Sequence, residues 1–93
     1  MFAVGCYVMQ ENGERAQTLP RIYPPFGMLG VVERVSSAGC SVQWQSEQWK
    51  RILYTYPESD LIYLGIPNQY GYRYNINHPV VAGYYRRYKE KHH

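Results

Sequence analysis

Cysteine is scarce in this chain. Cys6 and Cys40 are its only two, and neither has a second thiol near it in the sequence. That excludes the disulfide framework of a small secreted domain and the paired thiols of a metal knuckle. Both are expected to serve as small apolar strand residues in a cytoplasmic, reducing setting. No apolar run approaches the roughly 20 residues that cross a bilayer, so no membrane partner is expected. Ala3-Val4-Gly5-Cys6 has the outline of a lipoprotein cleavage site, but five residues precede the cysteine, with no charged start or apolar segment. No lipid anchor is expected there. Histidine is almost absent: His78 is internal, and His92-His93 read as a purification-tag remnant without a functional role.

The motifs of common chemistries are missing as well. There is no phosphate-binding loop, dinucleotide fingerprint or metal-ligand spacing, so no cofactor and no metal are expected. Glu58 and Asp60, two apart beside Pro57, read as turn chemistry rather than as an acid–base pair. Ser59-Asp60 with a distant His78 lacks the nucleophile elbow of a hydrolase. The reading is of a protein that is not an enzyme.

What is abundant is tyrosine: eleven, against two phenylalanines and two tryptophans. Tyrosine suits half-buried sites and contact surfaces, and small β-proteins also use it freely in strands. Net charge is +3 and uneven. Residues 1–72 hold Arg15, Arg21, Arg34, Lys50 and Arg51 against six acidic residues. Residues 73–93 hold Arg73, Arg86, Arg87, Lys89 and Lys91 against Glu90 alone. A polyanion would therefore meet the tail.

Ninety-three residues make one domain. Phe2 to Gln10 is rich in β-formers and predicts a first strand; Glu11 to Glu14 is a turn. Arg15 to Phe26 contains Pro20, Pro24 and Pro25, so it is expected to be mostly loop. Gly27 to Val35 predicts the second strand, and Cys40 to Gln45 the third. By period two, Cys40, Val42 and Trp44 share one face, assigned to the core. Trp49 to Tyr56 predicts a fourth strand with no clean face. Pro57 to Asp60 is a helical-turn signal, and Leu61 to Leu64 a closing strand.

From Gly65 to His78 the chain is a Tyr-, Gly- and Pro-rich connector, in which Tyr70, Tyr72 and Tyr74 alternate like an added edge strand. Pro79 fits the first position of a helix, with Asn77 or His78 before it as cap. Val81, Tyr84, Tyr85 and Tyr88 fall on one helical stripe, and a helix this short needs something to dock on. Val81, Tyr84 and Tyr88 are the expected docking side chains.

The pattern Gly27-x-x-Gly30-x-Val32, Val42-x-Trp44, Asp60-Leu61-x-x-Leu64 resembles the SH3-like barrel superfamily, in particular its KOW and Tudor-like members. The resemblance implies a mainly β fold, a five-stranded SH3-like barrel over residues 1–64, with the connector 65–78 and a C-terminal helix over 79–91 packed on it. It also implies that loops and one exposed face carry function, since so small a barrel has no internal pocket. Relatives bind peptides, modified lysines, RNA or RNA polymerase, and fold alone does not choose among these. The tail, Tyr74-x-Ile76-Asn77-His78-Pro79-Val80 followed by Tyr84-Tyr85-x-x-Tyr88-Lys89, is similar to small proteins of phages and mobile elements of Gram-positive bacteria.

Three binding chemistries remain. Trp44, Trp49, Tyr54 and Tyr56 are candidates for an aromatic cage around a methylated ammonium. Arg73, Tyr85, Arg86, Arg87, Lys89 and Lys91 combine phosphate-binding charge with stacking rings, as nucleic-acid binding requires. Tyr23, Phe26, Trp49 and Tyr70 as apolar anchors, with Arg86 and Arg87 as polar contacts, match the composition of protein interfaces. The expected function is a phage-type accessory module that binds another protein and modulates it by surface occlusion. Nucleic-acid binding is the alternative. An exposed edge strand is also an expected route to a homodimer.

Overall fold

The computed structural model describes residues 2–25, 27–49, 52–68 and 79–91, without the side chains of residues 80, 84, 85, 88, 89 and 91. In chain order the elements are β1 (Cys6–Gln10), α1 (Gly13–Thr18), β2 (Leu29–Ser36), β3 (Gly39–Trp44), a 3-10 turn (Glu47–Trp49), β4 (Thr55–Tyr56), a second 3-10 turn (Glu58–Asp60), β5 (Leu61–Pro67) and α2 (Pro79–Lys91). The five strands form one antiparallel sheet in the order β4-β3-β2-β1-β5. The fold is mainly β. Among the described residues β4 and β5 are the two ends of the sheet, and no pairing joins them.

Alternation along β1 sends side chains to two faces, and both are covered. Val8 packs with Val32, Cys40, Val42, Trp44, Tyr56, Leu61, Tyr23 and Trp49. Tyr7 and Met9 point the other way, into a second cluster with Leu29, Val31 and Val81 of α2. Every residue of β1 is consequently buried. Gly30 shares the first face, where a β-carbon would lie 2.5 Å from Val42 Cγ1 and 2.7 Å from Trp44 Cε3. Its lack of a side chain admits the Trp44 ring.

Several strand expectations shift. β1 begins at Cys6 rather than Phe2, because a turn at residues 4–5 precedes it. The fourth strand shrinks to Thr55–Tyr56: Trp49 ends a 3-10 turn, and Ile52 N–H donates to Trp49 O at 3.4 Å, which keeps the chain turning. β5 runs on to Pro67, past the predicted end at Leu64. The stretch expected to be loop contains α1. Asn12 caps it, its side-chain oxygen accepting from Arg15 N–H at 2.9 Å.

α2 begins at Pro79, and its Val81 is wholly buried in the second cluster beside Tyr7, Met9, Leu29 and Val31. The caps Asn77 and His78, the alternating Tyr70, Tyr72 and Tyr74, and the side chains of Tyr84 and Tyr88 lie outside the described residues. Burying one valine contributes about 2 kcal/mol. Val81→Ala is therefore expected to cost about 2 kcal/mol in urea unfolding, whereas Arg86→Ala, exposed on the same helix, stays within about 0.5 kcal/mol.

Candidate binding cleft

The connection from β1 to β2 is long and proline-rich, yet it is pinned at several points. Its neck is closed by Gln10 N–H donating to Met28 O at 2.9 Å and Gly27 N–H to Gln10 O at 2.7 Å. Gln10, wholly buried on β1, donates through Nε2 to Pro24 O at 2.8 Å and accepts from Asn12 N–H. Tyr56 of β4 donates its hydroxyl to Ile22 O at 2.5 Å and accepts from Trp44 Nε1 at 3.0 Å. Asp60, at the end of the second 3-10 turn, accepts from Tyr23 OH at 2.5 Å and from Asn12 Nδ2 at 2.8 Å. Buried polar groups demand partners, and here each pin satisfies one while fixing the loop.

Three tyrosine rings extend this packing. Tyr23 meets Tyr56 edge to face at 5.1 Å and Tyr54 at 5.8 Å, and Tyr54 meets Tyr56 at 4.8 Å. Burial, then the hydrogen bonds to Asp60 and Tyr54, push the Tyr23 phenol above its ordinary pKa. Burial likewise raises Tyr56, with the Trp44 hydrogen bond acting against it.

Held this way, the loop forms one wall of a cleft of about 320 Å³; Trp49 forms the other. Gly13, Ala16 and Gln17 of the α1 segment, with Pro20, Tyr23 and Pro25, complete the lining. Gln17, Pro20 and Pro25 are exposed at the rim, while Tyr23 and Trp49 are 2% and 8% exposed. The lining is apolar, aromatic and conformationally stiff.

Of the residues expected to bind protein, Tyr23 and Trp49 come together here. Arg86 and Arg87 are exposed on α2. Phe26 and Tyr70 lie outside the described residues, as do Arg73 and the side chains of Tyr85, Lys89 and Lys91. The aromatic cage is corrected: Trp44 and Tyr56 are fully buried in the core, so neither ring presents a face to a ligand. β1 offers no bare face either, since all five of its residues are buried. Sequence reasoning missed Gly13, Ala16 and Gln17; their signal was Asn12, a good cap, ahead of the helix formers Glu14 to Gln17.

Glu58 and Asp60 serve as structural acceptors. Glu58 Oε2 takes Phe2 N–H at 3.3 Å, and both Asp60 oxygens are engaged. Among the described residues no group of three His, Cys, Asp or Glu side chains is placed to hold a metal ion, and no helix is long and apolar enough to cross a membrane. Comparison with protein-family models, curated proteins and solved structures finds no match to this chain.

Proposed function

We propose that this chain is a non-enzymatic binding module that engages a protein partner through the cleft between the β1–β2 loop and Trp49. The observation carrying this reading is the lining itself: Tyr23, Trp49, Pro20 and Pro25 around about 320 Å³. Aromatic rings and prolines give large contact area at little cost in conformational entropy, which is what interface anchors need. A cleft of that volume takes one large apolar side chain and its neighbours from an extended segment. The effect on the partner would be steric occlusion of the segment that docks.

The SH3-like barrel reading belongs to this proposal. It is supported by the strand order, by the long loop after β1 and by the 3-10 turn ahead of β5. The second reading, nucleic-acid binding, is favoured by Arg86 and Arg87, adjacent and exposed on α2.

Capture from the native host, with and without nuclease, separates the two. The double variant Gln17→Glu/Pro20→Glu places charge on an apolar rim at exposed positions, where stability changes stay small. It is expected to lower the affinity for the captured protein about tenfold or more, with nuclease without effect. Arg86→Glu/Arg87→Glu is expected to leave that affinity unchanged. Capture lost with nuclease, retained by the rim variant and weakened steeply by salt would replace the proposal with the nucleic-acid reading.

A further inference from the structure

We infer that Asp60 is the positioning residue of the cleft, its buried carboxylate holding α1 and Tyr23 together as one wall. This rests on the docking reading for its purpose, though not for its geometry.

Asp60 is 8% exposed and ends the 3-10 turn that leads into β5. Its own backbone is bonded on both sides: Asp60 N–H donates to Pro57 O at 3.0 Å, and Asp60 O accepts from Glu11 N–H at 3.4 Å. The side chain then reaches two points of the loop. Oδ1 accepts from Asn12 Nδ2 at 2.8 Å, and Oδ2 accepts from Tyr23 OH at 2.5 Å. Asn12 is the N-cap of α1, so the first bond fixes where that helix starts. Tyr23 lines the cleft, so the second fixes the ring that a ligand would meet.

A six-residue helix does not hold itself in water, and three prolines remove backbone donors from the rest of the loop. The wall therefore depends on side chains from elsewhere. Asp60 is distinctive among the described pins because it is a carboxylate and grips two side chains of the wall, those of Asn12 and Tyr23, where Gln10 bonds backbone groups in both halves. Gln10 reaches Pro24 and Asn12 N–H, and Tyr56 reaches Ile22. Charge-assisted bonds to a carboxylate are about twice as strong as neutral ones, which makes this pin the one whose loss opens the loop. The opening is expected to be local, since the side-chain hydrogen bonds of Asp60 run to Asn12 and Tyr23 of the loop.

Amide exchange resolves the two arms. Tyr23→Phe keeps the ring and removes one bond: the Tyr23 amide, bonded to Leu19 O at 2.9 Å, is expected to exchange on the order of tenfold faster, with the Ala16 and Leu19 amides little changed. Asn12→Ser keeps a capping oxygen for α1 and loses the Asn12 arm to Asp60, so the pattern reverses. Asp60→Ala is expected to speed both groups while the β2–β3 amides keep their rates. Should Asp60→Ala fail to fold, the opposite patterns of the two milder variants carry the test. Unchanged loop rates in all three, or loop and strand amides accelerating together, would overturn the inference.

A second arm titrates p-cresol, a tyrosine side-chain mimic, against the Trp49 indole N–H signal. Asp60→Ala is expected to weaken its binding about tenfold, and Asp60→Asn less. If p-cresol does not perturb Trp49 in the unsubstituted protein, the docking reading fails and the exchange pattern alone decides the role of Asp60.

Discussion

Gly39→Ala is expected to remove a large share of the stability of this protein, about 3 to 5 kcal/mol of the 5–15 typical of a small domain. Gly39 opens β3 with φ at +139°, a conformation that side-chain-bearing residues rarely adopt. A β-carbon there would lie 2.0 Å from the carbonyl oxygen of Tyr56, 2.7 Å from its carbonyl carbon and 3.1 Å from Pro57 Cα. All three atoms are backbone and none can swing aside. The neighbour is also the least movable part of the fold, because Tyr56 pairs with Cys40 and its ring anchors Trp44 and Ile22. Relief would have to come from separating β4 from β3, and β4 is only two residues long. Gly83→Ala provides the contrast: nothing lies within 4 Å of its β-carbon, and alanine is the better helix former, so a gain of about 0.5–1 kcal/mol is expected. Urea unfolding of both variants checks this; a loss under 1 kcal/mol at Gly39 would mean that β3 and β4 are not apposed as described.

Gly39 also shows what kind of information the chain displays openly. The gap between the strands predicted to end at Val35 and to begin at Cys40 holds the turn at residues 37–38, and the alternation of Cys40, Val42 and Trp44 was legible as a buried face, because period two is local. So was the 3-10 turn after Pro57. α1 was not legible, because its cap, Asn12, is held by Asp60, 48 residues away in sequence, and the prolines that follow argue for a loop. β4 was overestimated because Trp49 to Tyr56 is rich in strand formers, yet Trp49 earns its burial in a turn rather than in a ladder. The loose alternation of β1 looked like weak patterning; it reflects a strand covered on both sides. The cleft followed the same division. Tyr23 and Trp49 were singled out by residue type as expected anchors, and it is the fold that brings them to one cavity with Ala16 and Gln17.

The same buried network makes stability fall steeply in alkali. Burial first, then hydrogen bonds to Asp60 and Tyr54, raise the Tyr23 phenol above its unfolded value of 10.0. Burial raises Tyr56 above the same value, and burial followed by the charge of Glu58 raises the Cys40 thiol above 9.0. In each case the folded protein holds its proton more tightly than the unfolded chain. The stabilisation is therefore fully present below the unfolded value and is lost as pH climbs from there toward the folded one. Each such group contributes a slope of at most about 1.4 kcal/mol per pH unit, and only between its unfolded and folded values, so the loss is expected to begin with Cys40 near pH 9 and to steepen as the tyrosines enter above pH 10. Alkaline unfolding is expected to be cooperative with ionisation of the buried phenols. Absorbance of phenolate at 295 nm and urea unfolding between pH 8 and 12 measure the two sides of this linkage. Tyr23→Phe is expected to lower stability at pH 8, through the lost bond to Asp60, and to flatten the alkaline slope by about one group's share. Stability that stayed level from pH 9 to pH 11 would show that Tyr23, Tyr56 and Cys40 are open to water, and the packed arrangement of loop, 3-10 turn and sheet around them would have to be abandoned.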